Sequence, residues 1–434
     1  MSSPTLSTKL HQIAAQAADK TRVFTTLAHL IDEELLLQAY RLTRKDGAPG
    51  IDGQTGTEYA ENLESNLKDL YERLRTRRYR ATPARRVRIR KEDGSERPIA
   101  VSAFEDKIVQ RAVVMLLSAI YEQDFYEFSY GFRPRVGAHV ALRALRQACM
   151  DFNGGWIVDA DIRGFFDGLD RGILREILRR RVNDGGILRL IGKWFNAGVM
   201  DGGELIHPET GTPQGSVASP LLANIYLHTA LDEWFAEVVQ PRLRGRSFMA
   251  RFADDFIILC EFEDDARRVL EVLPKRLAKY GLSLHSDKTR LARFKMPALR
   301  AKSPKANGNG TFDFLGFTHY WARSRQGFWV VKKRTMRKRL RRAMRAAWLW
   351  CKHNRHTALL EQHRSLSRKL RGHYAYYAIR GNYESLALLY EHTRRAWRRW
   401  LSRRSRESHI SWEKFPRIER SFPLPLPRIV HANV

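Results

Sequence analysis

The chain has 434 residues, 43% of them hydrophobic, and a formal net charge of +30 at pH 7. It is long enough to exceed one ordinary domain and bury a sizeable core. Its charge makes a polyanion the default partner, nucleic acid ahead of a membrane surface. A membrane partner is not expected, because the longest apolar run, Ala112–Tyr121, is ten residues broken by Ser118 and too short to span a bilayer. The first residues show no basic-then-apolar signal pattern. The three cysteines, Cys149, Cys260 and Cys351, lie too far apart in sequence for a disulfide framework or a zinc ribbon. A reducing cytoplasm is the expected location.

Leu27, Ile31, Leu35, Ala39 and Leu42 fall at helical spacing and predict a helical segment over residues 1–44. The glycine-dense stretch Asp46–Gly53 then reads as a loop on the surface or against a ligand. Residues 79–101 read as a basic hairpin, Arg85–Lys91 and Arg97–Val101 around a turn at Glu92–Ser95. Val87 and Ile89 alternate with arginines, which predicts one face on the core and one toward phosphate; a solvated charged strand is the alternative. A helix through Gln110–Tyr121 precedes Ser129–Pro134, where aromatics stand beside Arg133. Such aromatics suit stacking on bases or a packed loop-to-helix junction, and packing is favoured for Phe132. His139 reads as a structural helix histidine.

Trp156–Ile162 reads as a strand whose alternation puts Asp159 and Asp161 on one face and Trp156, Val158 and Ala160 on the other. Phe165 and Phe166 follow, and one of them is expected in the core. Pro213-Gln214-Gly215 opens a predicted helix, Val217–Tyr226, with Gly215 permitting close backbone approach and Gln214 able to donate and accept. The segments Phe248–Phe252 and Phe256–Cys260 read as strands meeting at a turn that carries Asp254 and Asp255. Adjacent carboxylates repel unless a cation lies between them, and a divalent metal is the simplest candidate. For these residues alone, an ordinary Asp-containing turn is the alternative. A strand carboxylate plus a hairpin-tip pair is the equipment of two-metal phosphoryl transfer.

Pro297–Gly310 is rich in Pro, Gly, Asn and Lys and reads as a loop. From Lys332 to Arg345 there are nine Lys or Arg and no acid, with Leu340, Met344, Ala347, Trp348 and Cys351 as an apolar stripe. That pattern predicts an amphipathic helix with one cationic face. Leu386, Leu389, Tyr390, Thr393 and Trp397 keep helical spacing and are expected in a core, which leaves the arginines from Arg394 to Arg406 for nucleic-acid backbone. Phe422–Pro427 ends the chain as an extended tail.

Three motifs in order, Asp161-x-x-x-Phe165-Phe166-Asp167, Gly211 to Asn224 around Pro213-Gln214-Gly215, and Phe252-Ala253-Asp254-Asp255, resemble the palm of a reverse transcriptase. Asp46–Gly53, the block Ser129–Ala141, and Tyr374–Asn382 with Ser411-Trp412-Glu413 resemble the group II intron-encoded branch of that family. The resemblance implies an α+β right-hand polymerase with fingers, palm, helical thumb and a basic helical C-terminal maturase/DNA-binding region. The implied divisions are an N-terminal extension (1–44), fingers and palm (45–322), thumb/maturase (323–393) and a basic DNA-binding end (394–434). It implies addition of dNTPs to a primer 3′-OH on an RNA template, with Asp161, Asp254, Asp255 and Lys288 catalytic. Two Mg²⁺ would be held by Asp161, Ile162, Asp254 and Asp255. Lys91 and Arg97 would grip the triphosphate, Phe166 would gate the sugar, and Gln214 would stand near the nucleotide. Arg133 becomes a template or nucleotide contact and Phe312–Phe317 the primer grip.

The implied partners are the chain's own intron RNA, whose splicing it would assist, an RNA template with a DNA primer, and a DNA target. The sequence leaves open a homodimer. It also leaves open a domesticated reverse transcriptase in DNA repair or phage defence, or a non-catalytic RNA-binding splicing factor. Phe252 stands where Tyr is usual in the group. The Cys pairs of a C-terminal endonuclease are absent, so target cleavage is not expected and priming from a nascent DNA strand is the more natural route.

Overall fold

The computed structural model describes residues 6–90, 96–212, 215–301, 310–405 and 409–434, the Arg90 side chain excepted. Lys91, Gln214, Arg406 and most of the predicted loop Pro297–Gly310 lie outside these residues.

The first 44 residues are not one helix. The chain is helical over Leu6–Ala17, makes a single 3₁₀ turn at Ala28–Leu30, and re-enters a helix at Glu33–Leu42. A remote carboxylate explains the break: Asp184 accepts the backbone amides of Leu27 and Ala28, drawing that segment out of helical pairing. Asp32 then caps the second helix by accepting the Leu35 amide at 2.9 Å. Leu27 and Ile31 are buried, but from outside that helix, and Leu42 is exposed.

Strands β1 (Ala84–Arg90) and β2 (Glu96–Val101) form the expected hairpin. Strand β3 (Gly154–Asp161) follows, and then the short strands β4 (Val199–Asp201) and β5 (Glu204–Ile206). β4 joins the first hairpin parallel to β1, giving the order β2-β1-β4-β5. The expected alternation fails toward the tip, where Val87 is half-buried and Ile89 is 52% exposed. Among the described residues, the core beneath this sheet is Ala84, Ala100 and Val199, so β1 runs past the end of that apolar support.

The central sheet is antiparallel, in the order β6-β7-β3-β8, with β6 at Ser247–Phe252, β7 at Asp255–Cys260 and β8 at Arg290–Lys295. Both of its faces are covered. Val158, Ala160, Phe256 and Ile258 share a core with the helix Glu263–Ala278, which lies against β3 and β7. Ile157, Ile257 and Leu259 pack against the helix Ala138–Asp151 and a third sheet. That sheet is β11-β10-β9, from β9 (Phe312–Phe314), β10 (Phe317–Arg323) and β11 (Trp329–Thr335).

The cationic helix expected from Lys332 begins only at Arg337. Lys332, Lys333 and Arg334 instead pair with Tyr320, His319 and Thr318 across β10 and β11. Strand pairing buries every second side chain, and Lys333 is 1% exposed. Helices Arg337–His353, Leu359–Tyr377 and Tyr383–Leu401 enclose a separate core that includes Leu386, Leu389 and Trp397, as their spacing predicted. Neither 322/323 nor 393/394 falls between elements: β10 ends at Arg323, and the last of these helices spans residue 394. Among the described residues, no helix is long and apolar enough to cross a membrane.

Candidate functional site

The β3 and β7 register places Asp161 directly opposite Asp255. Asp254 occupies the two-residue turn between β6 and β7, after Ala253, whose φ of +58° lets so tight a turn close. Three carboxylates therefore stand at one end of the central sheet, within electrostatic range of one another. Asp159 joins them one strand repeat away, bonded by Arg290 at 2.9 Å. Burial first, and then repulsion from Asp159, Asp254 and Asp161, push the Asp255 carboxyl up to about 7. Asp254 is raised by burial and by Asp161, against the opposing pull of Arg97 and Lys288. Lys288 reaches Asp161 at 2.6 Å. The exposed Arg97 on β2 acts electrostatically on Asp254 from the basic hairpin. Arg97 and the expected carboxylates thus stand within electrostatic range of one another.

Among the described residues, no three carboxylate, imidazole or thiol side chains converge closely enough to ligate one ion. The donor set is nonetheless suited to a hard divalent cation, since a cation would relieve the mutual repulsion that raises Asp255. The Lys288 ammonium on Asp161 meets the same demand for positive charge. Ile162 is buried directly after Asp161 and bridges Leu284.

The sheet end is braced from behind. Arg251, fully buried on β6, donates to Asp232 at 2.7 and 2.5 Å, to Asn224 and the Ala253 carbonyl at 3.1 Å, and to Ser129 at 2.6 Å. Asn224 in turn donates to the Gly131 carbonyl at 2.6 Å. A Cβ at Gly131 would strike the Ala253 amide, so glycine is required where this loop meets the turn. Asp232 lies in a π-helical stretch that continues the helix Ser219–Leu227. The chemistry-bearing motifs were visible in the sequence, but this brace was missed. Its only local signals are an arginine inside an apolar strand and an aspartate inside an apolar helix.

Phe165 is buried and Phe166 half-buried, their rings edge-to-face at 5.3 Å. Phe165 is therefore the core aromatic, leaving Phe166 nearer the surface. The Phe166 carbonyl accepts the Thr212 amide at 2.8 Å, which ties this turn to the segment before Pro213. Gly215 has φ +108°, and a Cβ there would lie 2.6 Å from Ile99 on β2. Its close approach is to the basic hairpin. Gln110, buried, accepts the Val217 amide at 2.9 Å and the Ser216 hydroxyl at 3.1 Å, and so holds this junction.

Two neighbouring residues stand in unlike surroundings. Arg133 is mostly buried, donating to Glu122 at 3.0 Å and to the Tyr126 and Ser129 carbonyls at 2.8 Å, with its guanidinium over Phe125. A cation so placed braces its own loop through Nε and Nη1. Phe132, expected to be packed, is 54% exposed, at 6.3 Å from the Phe252 ring beside the carboxylate turn. Its positive φ turns it out of the junction. His139 is structural, its Nε2 sharing a hydrogen bond with the Tyr376 carbonyl at 2.8 Å. The expected Phe312–Phe317 hairpin is present, and Tyr376 donates to the Leu315 carbonyl at its tip at 2.7 Å. Of the C-terminal arginines, Arg394 is held by Glu419, Arg398 by the Ile410 carbonyl and Arg404 by the Arg355 carbonyl, whereas Arg395, Arg399 and Arg403 are exposed.

Residues 89–319 match the family described as reverse transcriptase (RNA-dependent DNA polymerase). Protein YkfC of Escherichia coli (strain K12) is 32% identical over 351 residues, covering 72% of this chain and 87% of that protein. Group II intron-encoded protein LtrA of Lactococcus lactis subsp. cremoris is 35% identical over 222 residues, 50% of this chain and 36% of its own length. Nuclear intron maturase 2, mitochondrial, of Arabidopsis thaliana is 38% identical over 89 residues, 20% of this chain and 12% of that protein.

Proposed function

Because the chain belongs to the reverse transcriptase family, in its group II intron maturase-like branch, we propose that it copies RNA into DNA by direct phosphoryl transfer and also binds an intron RNA to assist its splicing. The carrying observation is the meeting of Asp161, Asp254 and Asp255 at one sheet end, faced by Arg97 and Lys288. In this reading the central sheet is the palm, the β1–β2 hairpin belongs to the fingers, and the helices from Arg337 form the thumb.

Asp161, Asp254, Asp255 and Ile162 are the residues that would hold Mg²⁺, which when bound supplies Lewis-acid stabilisation of the charge on the reacting oxygens. Arg97, with Lys91, neutralises the triphosphate of the incoming dNTP. The primer 3′-hydroxyl loses its proton to solvent as its oxygen attacks the α-phosphorus, the bond to the β-phosphate oxygen breaks, and Lys288 Nζ gives the departing pyrophosphate a proton that it regains from solvent. Phe166 crowds the position of a ribose 2′-hydroxyl, and Gln214 stands beside the nucleotide. The exposed cations of the C-terminal helices hold the RNA or DNA backbone, and the intron's own metal site carries out splicing. The partners are intron RNA, primed RNA template and DNA target.

The deciding experiment compares primer extension on an oligonucleotide-primed RNA with binding of the same RNA. Asp254→Ala is expected to abolish synthesis while affinity stays within a few fold, because the backbone is held elsewhere. Residual extension above background in that variant would remove the carboxylates from the chemistry. For the sugar gate, Phe166→Ala is expected to incorporate rNTPs while keeping measurable dNTP addition. Unchanged discrimination in the folded variant would assign the gate to another residue.

A further inference from the structure

A cavity of about 880 Å³ lies between the helix Ala138–Asp151, strand β11, the turn after β10, residues 380–381 and residues 432–434. Its walls carry Arg143, Arg146, Arg325, Lys332, Lys333 and Arg380, and no acidic side chain lines it. β11 is the far edge of its sheet, two strands from β9, the strand that lies against β7. The cavity shares no lining residue with the carboxylate site.

Lys333 is the unusual member. It is 1% exposed and donates to the Leu142 carbonyl at 3.3 Å, and among the described residues no carboxylate stands within ion-pair distance of it. Buried ammonium groups are normally paired, because leaving water without a counter-charge is costly. Burial, and then Arg146, pull this lysine down to about 7. Arg146 itself is bound to the Val331 carbonyl at 3.1 Å. Arg143, Arg325 and Arg380 stand exposed around the opening. A single small anion would leave most of these charges unmatched, whereas consecutive phosphodiesters meet several at once.

We propose that this cavity binds the phosphodiester backbone of a structured RNA, at a position separate from the template and primer. The proposal deepens the RNA-binding half of the function given above and rests on it only for the choice of RNA as the strand.

The test uses the full chain carrying Arg143→Glu, Arg325→Glu and Arg380→Glu together, with Lys333→Met as a size-matched second variant. Primer extension on a short primed RNA is expected to stay within about twofold of wild type. Affinity for a long, unprimed, structured RNA is expected to fall at least about tenfold in the triple variant, with the log–log salt slope shallower by about 2 to 3. Lys333→Met should weaken the same RNA by a smaller factor. Unchanged affinity and slope in variants that still extend primers would overturn the proposal. So would equal loss of duplex DNA, which would make the strand DNA, or full displacement of the RNA by equimolar tripolyphosphate, which would make the site one for a free anion. Loss of extension by the triple variant would overturn the separateness of the site. A wild-type chain that extends no primer would defeat the polymerase reading and leave this one standing on the binding data.

Discussion

The two hairpins that face each other at the candidate site differ in how they are held. On β7 every residue from Phe256 to Cys260 is fully buried, and the strand is paired on both sides. On β1 and β2, Arg88, Ile89, Glu96 and Arg97 are all exposed, and the core beneath is three small residues. Charge explains the contrast. Carboxylates that must stand together repel, so their backbone has to be fixed by packing and by the Arg251–Asp232 brace. Cations that grip a flexible polyanion sit on long stems and tolerate a looser frame.

The largest effect expected from this contrast is at the brace. Arg251→Met strands Asp232 fully buried without its partner, which costs about 3 to 5 kcal/mol when a buried pair is broken. Urea unfolding should show the loss as a lower midpoint, and DNA synthesis should fail in parallel. Adding Asp232→Leu should restore most of the stability by removing the orphaned charge. Synthesis should stay low, because the Ala253 carbonyl and Ser129 have still lost their donor. A single Arg251→Met variant with an unchanged midpoint would erase the distinction between the hairpins.

A smaller and different effect is expected across the cleft. In its proposed role Arg97 makes a charged contact to the nucleotide, so Arg97→Ala should cost about 1.5 to 3 kcal/mol of binding and raise the KM for dNTP roughly tenfold or more. The unfolding free energy should move by no more than about 0.5 kcal/mol, as for other exposed positions. A large stability loss with unchanged KM would make Arg97 part of the frame instead of the grip.

A third effect concerns a buried cation, the inverse of the buried carboxylates. Lys333 is faced by Arg146 and Cys149 from the helix Ala138–Asp151 and by His319 across β10. Its folded pKa of about 7 lies below the ordinary 10.5. Between those values the unfolded chain holds more protons than the folded one, so stability rises with pH from about 7 upward and this contribution is flat below. Lys333→Met should be the more stable chain at pH 6, with its advantage shrinking as pH rises toward 9. Paired denaturation curves at the two pH values measure it, and an advantage that grows with pH would contradict the sign.

Much of the site was legible before any fold was known. The alternation in Trp156–Ile162, the two apolar runs around Asp254 and Asp255, and the helical spacing of Leu386 to Trp397 each encode a local period that backbone geometry enforces. What depended on tertiary structure was which remote groups meet. Lys332-Lys333-Arg334 suits a helix or a strand equally, and pairing with β10 decided for the strand. Arg133 and Arg394 look like surface cations until Glu122 and Glu419 arrive from elsewhere in the chain. Ile89 alternates correctly, but no core reaches it. Arg251 and Asp232 lie nineteen residues apart on a strand and a π-helical stretch, and neither local pattern names the other. A sequence carries its own periodicity in full, whereas the partner of a charge is set by which segments the packed core brings within hydrogen-bond range.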